Sequence, residues 1–142
     1  MKSAYQFAHG PNDINADAAT TGKYRNVGGI TGRTEATGLG VFYAAKKVLS
    51  NALVCKNLGV TTGLKGKTFI MQGYGNVGYW ASKFLVEDGA ILVGVSEFDG
   101  SIYDEKGIDP EELYQYKLKN KGINGFKCAN YYPDEKAIYQ QA

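Results

Sequence analysis

The chain has 142 residues, 44% of them hydrophobic, which suits one domain or part of one and excludes disorder as its main description. No apolar run approaches the roughly 20 residues of a membrane-spanning helix. A net charge of +2 makes no general case for nucleic acid, and two cysteines with one histidine exclude a disulfide framework and a Cys- or His-built metal site.

The charge is uneven along the chain. Residues 1–83 carry ten basic and three acidic side chains, a surplus of +7, and residues 84–142 carry six and eleven, a balance of −5. Such a split suits a phosphate-bearing ligand or is plain solvated surface. Residues 1–30 read as irregular. They start on no apolar signal-peptide core, and Gly10-Pro11-Asn12-Asp13 and Gly28-Gly29 read as turns. His9 has no visible partner and is expected to be solvated or structural.

Residues 34–56 read as the strongest helix. Val41, Ala44, Ala45, Val48, Leu49, Ala52 and Leu53 form its apolar stripe, Thr34 is the expected N-cap, and Asn57 and Gly59 are stop signals. After a loop at 63–67, residues 68–72 (Thr-Phe-Ile-Met-Gln) are apolar enough for a buried parallel strand. A helix over 76–88 follows, with Val77, Trp80, Ala81, Phe84 and Leu85 on one face, and Gly89 ends it. Residues 91–95 are a second buried strand, which completes a βαβ unit of expected right-handed crossover.

Asp99-Gly100 and Lys106-Gly107 mark turns around a short Ser101-Ile102-Tyr103 segment. Asp109 as cap, Pro110 at the first helical position and Glu112 three residues on predict a helix to about residue 120. Its Lys117, Lys119 and Lys121 are expected to form a solvated face, and residues 127–132 a last strand. Cys55 and Cys128 read as small core residues. The expected fold is α/β: an incomplete Rossmann-like nucleotide-binding domain, the N-terminal portion of a doubly wound parallel sheet.

The sharpest chemical signal is Gly73-Tyr74-Gly75-Asn76-Val77-Gly78, a G-x-G-x-x-G between a predicted strand and a predicted helix. Gly73 permits the tight turn, Gly75 lets a pyrophosphate approach the backbone, and Gly78 lets helix and strand pack closely. The helix N-terminus offers N–H groups and partial positive charge to phosphates. The bland alternative is a glycine-rich turn with no ligand. Glu97 lies 19 positions after Gly78, close to where an acidic residue accepts the ribose hydroxyls. A carboxylate there repels a 2′-phosphate and favours NAD over NADP; Asp99 competes for the role. In the earlier cluster from Gly28 to Gly40, Arg33 and Thr37 are four apart, on one side of a helical turn if one forms there. Ala36, Gly38 and Gly40 suit close packing against that turn.

Gly28-Gly29-Ile30-Thr31-Gly32-Arg33-Thr34-Glu35-Ala36-Thr37-Gly38-Leu39-Gly40-Val41 resembles the opening of the nucleotide domain of glutamate dehydrogenases. So do Asp13-Ile14-Asn15-Ala16, Thr21-Gly22-Lys23, Gln72 to Gly78, Asp99-Gly100-Ser101-Ile102-Tyr103 and Gly107-Ile108-Asp109-Pro110-Glu111-Glu112-Leu113. The resemblance covers nearly the whole chain and has the flavour of the hexameric enzymes of animals and other eukaryotes. It implies oxidative deamination of L-glutamate to 2-oxoglutarate and ammonia with NAD or NADP, in a homohexamer of the mitochondrial matrix or, alternatively, the cytoplasm. Arg33 and Thr37 match residues near nicotinamide and substrate; Gly73, Gly75, Asn76, Val77 and Gly78 match the dinucleotide loop; Glu97 matches the adenosine-ribose position. Family members acidic there still use both cofactors, which weakens the preference for NAD.

The family's catalytic lysine, catalytic aspartate and carboxylate-binding lysines have no matching motif here, and Lys23 is not that catalytic lysine. Residues 1–30 are accordingly expected to be the tail of a missing substrate domain and 31–142 a partial NAD(P)-binding domain. The chain alone is expected to be inactive, with no catalytic residue and no metal site to assign. The alternative is a non-catalytic dinucleotide-binding module or a subunit that docks onto full-length dehydrogenase.

Overall fold

The computed structural model describes residues 2–19, 22–127 and 129–140. They divide into two compact units, Met1–Thr34 and Glu35–Ala142.

The first unit departs from its irregular reading. Helix α1 spans Lys2–His9, and short 3-10 turns follow at Ile14–Ala19 and Arg25–Val27. His9 ends α1 stacked on Tyr5, and Asp13 accepts the Asn15 backbone N–H at 2.8 Å. Thr21, part of one resembling segment, lies outside the described residues.

In the second unit the long helix expected over 34–56 is two helices, α2 at Ala36–Leu49 and α3 at Ala52–Leu58. Asn51 makes the break. Its backbone is extended, and its side chain accepts from the N–H groups of Leu53 and Val54 at 3.0 and 3.3 Å. A residue that caps a helix has left the preceding one, so the hydrogen-bond ladder does not continue. The expected apolar stripe does not hold either: Val41, Val48 and Leu53 are 42%, 50% and 68% exposed, and Phe42 and Cys55 are buried instead. Thr34 is not the cap of α2. Glu35 holds that position without a side-chain bond, after a turn over residues 31–35. Gly59 ends α3 in the left-handed region, as its place in the sequence predicts.

Strand β1 spans Thr68–Gln72, helix α4 Asn76–Glu87 and strand β2 Ile91–Glu97; β1 and β2 pair in parallel. Beyond them the expectation of a parallel sheet fails. Strand β3 (Gly100–Tyr103) pairs antiparallel with β2, and β4 (Asn130–Tyr132) antiparallel with β3, so the four-stranded sheet is mixed, in the order β1-β2-β3-β4. The reason is loop length. Phe98 and Asp99 alone separate β2 from β3, and two residues permit a hairpin but no parallel crossover. Helix α5 (Pro110–Asn120) starts where predicted, with the Asp109 carboxylate accepting the Glu112 N–H at 2.8 Å. Cys128, assigned above to a last strand and the core, lies outside the described residues, and that strand covers only Asn130–Tyr132.

Tyr74, Tyr79, Leu92, Val95, Ile102, Ile108, Leu113, Ile123 and Phe126 form the main core. Phe42, Leu64, Leu85 and Ala90 form a second cluster. Gly38 carries the packing of α2 on α4: a Cβ there would lie 2.5 Å from the Trp80 Cβ and 2.7 Å from the Ala81 nitrogen. Gly40, expected to serve the same contact, has nothing within 4 Å. Cys55 is buried, and its thiol meets the Leu49 carbonyl.

Candidate functional site

The glycine loop joins the C-terminal end of β1 to the N-terminus of α4. Gly73 has φ +79, a conformation that costs other residues free energy. Its N–H donates to the Ser96 carbonyl at 2.7 Å, which ties the loop to the end of β2. Gly75 is the N-cap of α4, exposed, and a Cβ there would meet nothing within 4 Å. Gly78 is buried in the first turn of α4, and a Cβ would lie 2.1 Å from the Gly73 carbonyl oxygen. The first glycine is thus demanded by backbone angle and the third by contact. The middle one answers no demand from inside the protein. Asn76 and Val77 are exposed between them. Val77, expected on the apolar face of α4, is 40% exposed because it stands at the open end of the helix.

Tyr74 holds this loop from beneath. Its side chain is fully buried, and its hydroxyl donates to the Pro110 carbonyl at 3.0 Å. Burial pushes that hydroxyl's pKa far up, so it serves as an anchor and not as an acid. The Tyr74 backbone N–H points the other way and donates to Glu97 Oε1 at 2.5 Å.

Glu97 ends β2 with its side chain only 10% exposed. Its Oε1 also accepts from Lys117 Nζ, and the same ammonium donates to the Tyr74 carbonyl at 2.9 Å. Lys117 is therefore not part of a solvated lysine face. Its side chain is 20% exposed and neutralises the carboxylate. Lys117 lies four residues after the buried Leu113, hence on the inward side of α5, and that spacing was the signal available in the sequence. Asp99, the competitor for Glu97, turns away. Its Oδ2 accepts from the backbone N–H groups of Ile123 and Asn124 at 2.8 and 3.4 Å. Of the two acidic residues, Glu97 alone is bonded to the glycine loop among the described residues.

Arg33 and Thr37 are both exposed. Arg33 belongs to the turn before α2 and Thr37 to the first turn of α2, so no single helical turn carries the pair. They fall in different compact units. Arg33 lines a cavity of about 280 Å³ in the first unit with Lys23, Gly28, Gly29 and Ile30.

A second cluster joins α4 to α5. The Tyr79 hydroxyl donates to Glu111 Oε2 at 2.5 Å, and Lys83 Nζ lies 3.3 Å from each. Tyr79 and Lys83 have the one-turn spacing of an acid–base pair on a helix. Yet Tyr79 is buried and stacked on Tyr114, and burial together with the Glu111 bond raises its pKa. That makes it a packing residue. No group of three or more His, Cys, Asp or Glu among the described residues is placed to hold a metal, and no described helix is long and apolar enough to cross a membrane.

Comparison with known proteins identifies relatives of the chain. The family model for Glutamate/Leucine/Phenylalanine/Valine dehydrogenase matches residues 28–141. The mitochondrial glutamate dehydrogenase of Dictyostelium discoideum is 46% identical over 120 residues, 84% of this chain and 24% of that protein. The glutamate dehydrogenase of Aeropyrum pernix is 47% identical over 107 residues, 75% of this chain and 24% of that protein. Among solved structures, a glutamate dehydrogenase superposes with a TM-score of 0.67 at 33% identity, over 94% of this chain and 29% of that one. The leucine-bound hetero-hexameric enzyme of Thermus thermophilus superposes with a TM-score of 0.65 at 25% identity, over 90% of this chain and 28% of that one. The chain thus spans about a quarter of the length of the relatives it matches.

Proposed function

This chain belongs to the Glutamate/Leucine/Phenylalanine/Valine dehydrogenase family, and from that premise we propose that it carries the dinucleotide-binding part of a glutamate dehydrogenase. Residues 31–142 are then part of the cofactor domain, and residues 1–30 the tail of a substrate domain. In the whole protein the reaction is the oxidative deamination of L-glutamate to 2-oxoglutarate and ammonia. The family also supports a hexameric whole protein, and the Dictyostelium relative supports a mitochondrial address.

The observation that carries this reading is the empty space over Gly75, at the N-terminus of α4 and beside the Glu97–Lys117 pair. A pyrophosphate has room there, next to a helix end that favours anions. A bound nicotinamide dinucleotide supplies the hydride acceptor. The chain's own part is to bind and orient it: Gly73 and Gly78 shape the turn, Gly75, Asn76 and Val77 present backbone to the phosphates, and Glu97 meets the adenosine ribose. Arg33 and Thr37 are proposed near nicotinamide and substrate by family likeness. Because Lys117 offsets the charge of Glu97, the site repels a 2′-phosphate less than a lone carboxylate would. NAD remains favoured, with NADP accepted.

Gly75→Val tests this directly, since its Cβ has no neighbour within 4 Å and its side chain enters the space proposed for phosphate. NAD affinity should fall at least tenfold, about 1.4 kcal/mol, with the melting temperature nearly unchanged. Equal affinity in calorimetry would remove the loop from the binding site.

A further inference from the structure

We propose that Asp99 is a positioning residue: by clasping the chain that leaves α5, it holds Lys117 in place over Glu97. The inference rests on the proposed dinucleotide site. The β2–β3 turn consists of Phe98 and Asp99. Its two side chains part ways, Phe98 out into solvent at 78% exposure and Asp99 inward. Asp99 Oδ2 accepts the Ile123 and Asn124 N–H groups, and the Asp99 carbonyl accepts the Tyr131 hydroxyl at 2.5 Å.

The segment it grips is shaped to be gripped. Helix α5 is capped by Lys121, which has φ +60, the one described residue other than glycine with a positive φ. Gly122 follows, and a Cβ there would stand 2.3 Å from Asp99 Oδ2. Only a residue without a side chain lets the carboxylate reach the two N–H groups.

The clasp connects directly to the site. The Lys121 N–H donates to the Lys117 carbonyl at 2.8 Å, so the residue adjoining the clasp fixes the last turn in which Lys117 sits. Lys117 then projects its ammonium onto Glu97 and the Tyr74 carbonyl. Lysine is long and rich in rotamers, and an unanchored one stays in water.

Asp99 Oδ1 is buried with no hydrogen-bond partner among the described residues, and burying an unpaired carboxylate oxygen is unfavourable.

Three variants of the whole chain test the clasp: Asp99→Ala, which removes it; Gly122→Ala, which pushes it apart; and Asp99→Asn, which keeps an acceptor for the two N–H groups. Affinities for NAD and NADP are measured by calorimetry, in wild-type and Lys117→Met backgrounds, with urea unfolding of the same proteins. Asp99→Ala and Gly122→Ala should each weaken NADP about fivefold more than NAD, because Glu97 loses its counter-charge. Asp99→Asn should keep the wild-type ratio. In the Lys117→Met background neither disruptive variant should move the ratio further, and the unfolding effects of Asp99→Ala and Lys117→Met should be less than additive. A ratio unchanged in the wild-type background, or effects of equal size in both backgrounds, overturns the proposal. If the wild-type chain binds neither dinucleotide, the proposed function fails, and the unfolding cycle alone decides the clasp: additive effects reject it.

Discussion

Glu97 shows how one side chain can be placed by sequence and redefined by its neighbour. Its position at the end of β2 makes it the expected ribose acceptor by spacing, but its partner Lys117 comes from a helix twenty residues on. A carboxylate alone repels a phosphate; a carboxylate paired with an ammonium presents almost no net charge. Glu97→Gln should therefore do more than remove an acceptor. It frees Lys117 to meet a 2′-phosphate while depriving the ribose diol of its partner. The preference should shift toward NADP by about tenfold, about 1.4 kcal/mol, read from the two dissociation constants. An unchanged ratio would mean that Glu97 does not face the ribose.

Among the elements, the α2–α3 break and the α4–α5 seam are each held by a few polar groups. Asn51 caps α3 through two backbone N–H groups. Asn51→Ala should lower stability by about 1 kcal/mol, measured by urea unfolding, and leave dinucleotide affinity intact because the cap lies away from the glycine loop in sequence and role. The seam is sensitive to acid. Glu111 has its pKa lowered from 4.5 to about 2, first by the Tyr79 hydroxyl, then by Gln115 and Lys83. A carboxyl whose folded pKa is depressed contributes stability that is present above its unfolded value and is lost as pH falls through the folded one. The melting temperature should therefore decline between about pH 4.5 and pH 2, and Glu111→Gln should flatten that part of the curve. An identical acid limb in the variant would assign the decline to other carboxylates.

At the scale of the molecule, the proposed cofactor site belongs to a chain that spans about a quarter of the length of its relatives. General acid–base help contributes about 10²–10⁴-fold and positioning contributes more, and a chain that spans about a quarter of its relatives is proposed to supply only the cofactor side of both. The purified 142-residue chain is therefore expected to show no glutamate-dependent NAD reduction. Turnover that survives repurification and disappears in Arg33→Ala would show that the chain carries a catalytic site of its own. The sequence by itself determined the parts whose signals are local. β1, α4 and α5 follow from apolar runs, a glycine loop and a capping aspartate, and so does the backbone role of Gly73. Each depends on residues a few positions apart, where sterics and hydrogen bonding act without help from the rest of the chain. Tertiary structure decided the rest. The Asn51 break hid inside the apolar spacing of residues 41–53, and that spacing also misread the buried side: Val41, Val48 and Leu53 are exposed while Phe42 and Cys55 are buried. That Glu97 and not Asp99 is bonded to the glycine loop, and that Lys117 is paired, depend on α5 lying beside the end of β2. Charges and hydrogen bonds act over a few ångströms of space, and only the fold brings residues 74, 97, 99, 117 and 123 within that distance.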